Sequence, residues 1–380
     1  MGLYTILNNA ELDSRIDRDL NICKEHILKA FDDRILSIVL IGGYGRGEGG
    51  AVMRGNSYFP RNNYDILIVF KKIGFLQREN IRKLLDRIKA TLDAELMTVF
   101  EYSFQARNKL ANARNIMIYQ DMYNAGKTIY GSDIRSILPS RVALPLDNSE
   151  ALKVIRNRAT SLLFIKTGKS RKGYDITQEQ TKTWYSKAVI GFGDAVLIVA
   201  KKYKTRYAEK MIMIEGLSSR EAFVDGESLN YFKALHKAAS LYRLKNEDDP
   251  VLSDEDKISN SLSRINLWVL KKYLNTPELT WRDVAGISIC ADRSFLRSAR
   301  NVYVNMREYG PYRFLAMFLH KPAAIFTHPS EKLFTVLPLV LYKHDFDSLP
   351  ACVLGLNMDK RATIADVRNE CIRIFEKYIA

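Results

Sequence analysis

A chain of 380 residues in which 47% are hydrophobic and 27% are charged has the composition of a folded protein of two or three domains, which excludes a disordered chain. Its formal net charge of +15 favours polyanionic partners such as nucleic acid, nucleotides or an anionic membrane, although such a charge also serves solubility alone. Four cysteines without a CxxC pair indicate buried thiols in a reducing compartment rather than disulfides or a zinc site.

The sequence shows no pattern typical of export or membrane insertion. Its first residues lack a signal-peptide pattern and the hydroxyl residue expected for myristoylation. The best membrane candidate, 184–200, is interrupted by Lys187 and Asp194 and is too short to span a bilayer. We therefore expect a cytoplasmic protein that does not enter the membrane.

Apolar spacing predicts the elements of the N-terminal part. A helical pattern covers 12–31, and a short apolar run that ends at glycines predicts a buried strand over 35–41. The segment 44–61 is rich in Gly, Asn and Pro, which is typical of a loop with room for a small hairpin. The further elements expected here are a strand at 64–70, a helix at 81–92, a strand at 95–104 and, within 114–138, a helix, a turn at Gly126 and a short strand that ends at Gly131.

This order predicts an α+β protein with two parts. The first, 1–145, is a small domain with a mixed sheet and flanking helices. The stretch 139–148 has two prolines and no periodicity, and therefore marks the boundary. The remainder, 146–380, is expected to be mostly α-helical, with a candidate division into two subdomains near 245–255. A basic loop at 168–173 is a candidate contact for nucleic acid, or a solvated loop.

Five residues at the end of the first predicted strand and the start of the second have the chemistry of a phosphate and metal site. Glycines at Gly42 and Gly43 let the backbone approach a phosphate closely, and Arg46 adds a cation in the same loop. Asn63 and Asp65 alternate onto one face of the second strand because strand side chains have a period of two. Two oxygen-bearing side chains opposite a glycine turn are suited to hold Mg²⁺ against triphosphate oxygens. Glycines after a strand are, taken alone, more often a plain turn.

This pattern resembles the polymerase-beta-like nucleotidyltransferase superfamily. The similarity is to a bacterial group with a Gly-Tyr-Gly-Arg-Gly-Glu-Gly loop, present here at 43–49, followed by a motif that matches 62–65, and with a kanamycin-nucleotidyltransferase-like helical second domain. Weaker similarity extends over roughly 10–210. It includes the stretches Tyr119-Gln120-Asp121, Ile129-Tyr130-Gly131 and Asn157-Arg158, and Lys187 with Gly193-Asp194.

The resemblance implies a role for each candidate residue. Gly42, Gly43 and Arg46 bind nucleotide phosphates, and Lys187 reaches them from the second domain, unless it is a solvated lysine. The implied metal and catalytic positions are Asn63, Asp65 and a third carboxylate, for which Glu101 is preferred and Glu95 is the alternative. The cofactor is then Mg²⁺ or Mn²⁺, and the donor substrate is a nucleoside triphosphate. The alternative interpretations are structural: Arg46 only pairs with Glu48, and Glu101 is a solvent-facing edge residue.

One position departs from the family pattern, because Asn63 stands where an aspartate is expected. An amide oxygen ligates Mg²⁺ without charge and more weakly, so metal occupancy and rate should fall. Three explanations stay open. The chain is a nucleotide-binding pseudoenzyme, another acid such as Glu48 compensates, or the asparagine is an engineered change.

The leading hypothesis is therefore a Mg²⁺-dependent enzyme that transfers a nucleoside monophosphate to an acceptor. The acceptor is open among RNA, a small molecule, a sugar and a protein hydroxyl. The alternatives are a non-catalytic nucleotide or RNA binder and a toxin-like tRNA nucleotidyltransferase, the latter suggested by the basic second part. The scattered histidines and the missing Gly-x-Ser-x-Gly and P-loop motifs disfavour zinc hydrolases, serine hydrolases and P-loop enzymes.

Overall fold

The chain divides into two compact units. The computed structural model describes residues 2–74, 76–96, 98–168, 174–219, 226–286, 295–320, 325–326, 328–342 and 363–378. The first unit comprises Met1–Glu150, Ala200–Leu217 and Ser240–Asp249, and the second comprises Ala151–Val199, Ser218–Ala239 and Pro250–Ala380. The first unit therefore includes two segments that follow the stretch 139–148 in the sequence. The basic residues 169–172, Cys290 and Cys352 lie outside the described residues.

The first unit contains a sheet with flanking helices. Its elements in chain order are α1 (Ala10–Phe31), β1 (Ile35–Ile41), α2 (Gly42–Gly45), β2 (Ala51–Arg54), β3 (Ser57–Pro60), β4 (Tyr64–Phe70), α3 (Gln77–Glu95), β5 (Phe100–Ala106), α4 (Arg107–Ala111), α5 (Met117–Ala125), β6 (Lys127–Gly131) and α6 (Ile134–Ile137). Of the later segments, Tyr207–Glu215 forms a helix that follows α7 (Asn148–Thr167) and α8 (Gln178–Val199) and is numbered α9.

The main sheet is mixed, with the strand order β5-β4-β1-β6. Strand β1 is antiparallel to β4 and to β6, whereas β4 and β5 are parallel. The register places Asp65 opposite Ile41 on one side and Glu101 on the other. The two central strands thus bring the end of β1 next to the start of β4, where the candidate residues lie. The β2–β3 hairpin forms a separate two-stranded sheet.

Side chains of the sheet alternate between two cores, as a period of two requires. Tyr64, Ile66, Ile68 and Phe70 of β4 pack into the core that contains the apolar faces of α1 and α3. Leu67 and Val69 pack into the second core, to which α5 and α6 contribute. Asp65 has the parity of Leu67 and Val69, so this carboxylate stands at the end of the second face.

The α+β class and most of the expected elements of the first unit are confirmed. The strands 35–41 and 64–70 have the expected bounds, and a hairpin does form within 44–61. Two expectations are wrong. Tyr44 and Gly45, which were expected to begin a loop, lie in the single helical turn Gly42–Gly45. The third strand begins at Phe100 and not at position 95, because α3 continues to Glu95. The carboxylate of Asp93, in the last turn of α3, accepts the amide proton of Phe100 at the start of the strand.

Glu95 therefore does not lie on the strand that was expected to carry a third carboxylate. Glu95 ends α3, and its carboxylate lies 3.2 Å from the imidazole of His26 on α1. The apolar positions Ile81, Leu85, Ile88 and Leu92 keep the helical period up to this end. The amphipathic pattern of α3 therefore decides the conformation at position 95.

The described part of the second unit is helical. Besides α7 and α8, its helices are α10 (Gly226–Lys245, whose last turns belong to the first unit), α11 (Glu255–Leu274), α12 (Trp281–Gly286), α13 (Phe295–His320), α14 (Pro329–Tyr342) and α15 (Ile364–Tyr378). Lys332 of α14 is buried, donates to Asn305 at 2.8 Å and lies 4.9 Å from the ring centroid of Tyr309. None of the helices in the described ranges combines the length and the apolar composition needed to cross a bilayer.

Candidate functional site

The end of β1 and the start of β4 meet at one glycine and one carboxylate. Gly42 has φ +67°, a left-handed conformation that favours glycine. A Cβ atom at this position would lie 2.2 Å from Oδ2 of Asp65. The Asp65 carboxylate therefore lies directly against the Gly42 turn, and a side chain at position 42 would occupy the same space.

A cleft of about 260 Å³ opens beside this contact. That volume is just below the roughly 300–1,000 Å³ typical of small-molecule sites. The residues that line it are Ile41, Gly42, Arg46, Asp65, Ile118, Asp121, Met122, Ala125 and Gly126. The cleft thus contains one cation and two carboxylates, all from the first unit. Gly43, Asn63 and Glu101 are described but are not among the lining residues.

Asn63 is joined to Asp65 by a hydrogen bond. Its side-chain nitrogen donates to Oδ1 of Asp65 at 2.9 Å, and the Asn63 side chain is exposed. A carboxylate at position 63 would instead place a second negative charge beside Asp65. The structure therefore brings these two predicted residues together, with the amide nitrogen facing the carboxylate.

Glu101 neighbours Asp65 in the sheet register but its carboxylate is engaged at the sheet edge. Oε1 of Glu101 lies 3.2 Å from the ammonium of Lys89 on α3, which also pairs with Asp93 at 3.1 Å. The Glu101 side chain is 50% exposed. This environment matches the alternative of a solvent-facing edge residue.

The glycines of the loop differ in how much space the surrounding atoms leave for a Cβ atom. A Cβ at Gly49 would lie 1.9 Å from the Tyr44 ring, and one at Gly50 would lie 2.0 Å from Oδ1 of Asn62. A Cβ at Gly43 would meet nothing closer than 3.5 Å, an ordinary contact. Packing within the loop thus accounts for Gly49 and Gly50, whereas the surrounding protein accepts a methyl group at position 43.

Arg46 is held by two carboxylates and an aromatic ring. Its Nε lies 3.5 Å from Glu48, its Nη1 lies 4.0 Å from Asp121, and its guanidinium carbon is 5.1 Å from the ring centroid of Tyr207. Burial alone would lower the pKa of Arg46, but Tyr207, Asp121 and Glu48 raise it, so the side chain keeps its charge. The pairing with Glu48 exists, yet Arg46 also lines the cleft.

The carboxylate of Glu48 is buried at the start of helix α9. Its side chain is fully buried and accepts the amide protons of Tyr207 at 2.9 Å and Ala208 at 3.2 Å. These are the first amide groups of α9, where a helix lacks internal acceptors and favours a negative charge. The idea that Glu48 supplies the missing catalytic acid finds no support in this geometry, because its carboxylate caps a helix and does not line the cleft.

Asp121 is a cleft residue to which the sequence analysis gave no role. Its Oδ1 accepts a hydrogen bond from the Tyr203 hydroxyl at 2.8 Å, and its side chain is 19% exposed. Asp121 belongs to the stretch 119–121, which shows weak similarity to the nucleotidyltransferase group. That similarity was the signal in the sequence that could have identified Asp121 as a site residue. Tyr203 and Tyr207 gave no local signal, since their contacts join residues that are 82 and 159 positions apart.

Lys187 and Asp194 belong to α8 in the second unit. Lys187 is exposed, whereas Asp194 is 6% exposed within a helix that is buried on most sides. The role of Lys187 in phosphate binding stays a prediction.

The oxygen donors of Asp65 and Asn63 suit a divalent cation only when that cation is already bound to phosphate groups. In the described residues, no group of three or more His, Cys, Asp and Glu side chains is arranged to hold a metal ion. Asp65 and the Asn63 amide supply one charged and one neutral oxygen donor. Mg²⁺ is commonly held by one or two carboxylates together with substrate phosphates and water. Asp65 with Asn63 therefore fits a Mg²⁺–triphosphate complex better than free Mg²⁺.

No protein-family model matches the chain, and a search of curated proteins finds none with significant similarity to it.

Proposed function

We propose that the cleft binds the phosphates of a nucleoside triphosphate with Mg²⁺ or Mn²⁺, and that the protein transfers the nucleoside monophosphate to an acceptor. The contact of Asp65 with the positive-φ turn at Gly42, beside Arg46, carries the proposal. An acid and a cation that share a cleft with a glycine turn supply both a metal ligand and a phosphate-binding group.

The protein groups divide the work of this reaction. Arg46 draws the triphosphate into the cleft and offsets its negative charge. Asp65, with the oxygen of Asn63 after rotation of its amide, binds the cation, which when present neutralises the phosphate oxygens. The acceptor hydroxyl attacks the α-phosphorus, a new O–P bond forms, and the bond to the departing pyrophosphate breaks. Glu101 is the candidate acceptor of the hydroxyl proton, for which it would have to leave Lys89.

Incubation with labelled ATP, GTP, CTP or UTP and Mg²⁺ or Mn²⁺ tests this proposal. The acceptor is supplied as total RNA, a mixture of small polyols, or the protein itself. We expect weak transfer by the wild type, faster transfer by Asn63→Asp and none by Asp65→Asn. Glu101→Gln tests the base, with Glu79→Gln as the matched control, since both remove an exposed carboxylate of an ion pair. Lack of both transfer and nucleotide binding in Asn63→Asp would overturn the proposal.

A non-catalytic nucleotide binder is the second candidate, and one observation favours it. The amide nitrogen of Asn63 faces Asp65, which leaves one negative charge where catalysis by two carboxylates would place two. Nucleotide binding by the wild type without transfer, and without gain of transfer in Asn63→Asp, would favour this function over the first.

A further inference from the structure

Two carboxylates hold Arg46 from different sides of the cleft wall. Glu48 is fully buried and lies outside the set of residues that line the cleft, whereas Asp121 lines it. They approach different nitrogens of the guanidinium, Glu48 at 3.5 Å from Nε and Asp121 at 4.0 Å from Nη1. The ring of Tyr207 covers a face of the guanidinium at 5.1 Å, an arrangement that restricts its rotation.

Asp121 is itself held in one orientation. The Tyr203 hydroxyl donates to its Oδ1, which leaves Oδ2 as the oxygen nearest to Arg46. Tyr203 in turn packs against the ammonium of Lys210, 4.9 Å from the ring centroid, within the same segment 200–217. The orientation of Asp121 is therefore determined by residues that follow α8 in the sequence.

We propose that Asp121 is a positioning residue that keeps the Arg46 guanidinium at the cleft surface, where it binds triphosphate oxygens. The inference rests on the proposed function, since it assumes that the cleft binds phosphates. It extends that function by assigning the phosphate-binding geometry of Arg46 to Asp121 and Tyr203.

The charges decide the sign of the expected effect. Without the Asp121 charge, Glu48 is the remaining carboxylate beside Arg46, and it attracts the guanidinium into the buried side of the wall. Loss of Asp121 therefore weakens phosphate binding, although the substitution removes a negative charge from the cleft. A residue that merely repelled phosphates would have the opposite effect, because its removal would tighten binding.

A double-mutant cycle tests this inference. Binding of Mg²⁺ with inorganic tripolyphosphate, a probe that needs no base preference, is measured by titration calorimetry for the wild type, Asp121→Asn, Arg46→Gln and the double variant. We expect Asp121→Asn to weaken binding by about tenfold, the scale of one ion pair at 4.0 Å near a protein surface. The double variant should bind within about twofold of Arg46→Gln alone, because Asp121 acts through Arg46.

The controls separate the positioning role from folding and from the proposed function. Glu79→Gln makes the same charge change at an exposed ion pair and should bind like the wild type. If Arg46→Gln does not fold, Tyr203→Phe combined with Arg46→Lys forms a second cycle with the same expectation. Losses that multiply in both cycles, or tighter binding by Asp121→Asn, would overturn the inference alone. A wild type that binds neither tripolyphosphate nor any nucleotide would overturn the proposed function and this inference with it.

Discussion

The side-chain nitrogen of Asn63 lies 2.9 Å from Oδ1 of Asp65, so the asparagine that departs from the nucleotidyltransferase-like pattern is hydrogen-bonded to the aspartate that matches it. The Asn63 amide occupies Oδ1 of Asp65, so a cation that binds this oxygen has to compete with the amide.

Replacement of Asn63 by aspartate should make the stability of the first unit depend on Mg²⁺. Without metal, two adjacent carboxylates repel each other and the lost hydrogen bond adds to the cost, together about 1–2 kcal/mol of unfolding free energy. Mg²⁺ should restore this loss in Asn63→Asp and change the wild type less. Thermal unfolding with and without Mg²⁺ measures the difference. The exchanged pair Asn63→Asp with Asp65→Asn keeps the original charge and serves as the control; an equal Mg²⁺ response in all three proteins would contradict the prediction.

Alanine at Gly42 and at Gly43 should have different effects although the residues are adjacent. At Gly42 the left-handed backbone costs about 1–2 kcal/mol for a residue with a Cβ atom, and the methyl group displaces the Asp65 carboxylate. At Gly43 the methyl group makes ordinary contacts at 3.5 Å, so stability should change by less than about 0.5 kcal/mol. Urea unfolding of both variants checks this. Equal destabilisation would show that position 42 tolerates a side chain as well as position 43 does.

Glutamine at Glu48 should destabilise the protein without removing a catalytic group. The buried carboxylate accepts two amide protons of α9 and pairs with Arg46, so loss of its charge should cost about 2–4 kcal/mol of unfolding free energy. Glu79→Gln, at an exposed pair, should cost less than about 1 kcal/mol. Denaturant unfolding gives both values. A stable Glu48→Gln protein that has lost transfer would instead identify Glu48 as the compensating acid.

Lys332 should make the stability of the second unit rise with pH. Burial lowers the pKa of its ammonium from 10.5 to about 7 in the folded protein. Between these values the unfolded chain binds more protons than the folded one, so the unfolding free energy increases with pH in that window, and below it the contribution of Lys332 no longer changes with pH. Relative to Lys332→Met, the wild type should gain about 3 kcal/mol between pH 7 and pH 10. Denaturant unfolding of both proteins across this range measures the gain, and a constant difference would contradict it.

Local patterns were enough to predict much of the first unit. The apolar runs that form β1 and β4 have unambiguous ends, because a glycine pair follows one and polar residues precede the other. The conformation of 42–45 was missed because glycine has a poor helix propensity, and here the Arg46 amide and the Gly42 carbonyl close a turn in spite of it.

The site was predictable only in part, because some of its contacts join residues that lie far apart in the sequence. Gly42 and Asp65 come together through adjacent strands, which the strand pattern implies. The contacts of Arg46 and Glu48 with Tyr207, in contrast, join the loop to a segment about 160 residues later, and no local spacing reports them. Asp121 illustrates the intermediate case, since its stretch was recognised as similar to the family but its partner Tyr203 was not.

The first unit is discontinuous in the sequence, and this bears on how it can be produced. A fragment cut after residue 145 or 150 would lack α9, and would leave the Glu48 carboxylate without the two amide groups that it caps. It would also lack Tyr242, whose ring lies 5.3 Å from the Arg61 guanidinium. During synthesis the ribosome releases all these partners only after the helices α7 and α8, so the contacts of the loop 42–50 are completed late, and the isolated N-terminal fragment is a poor reagent for binding studies.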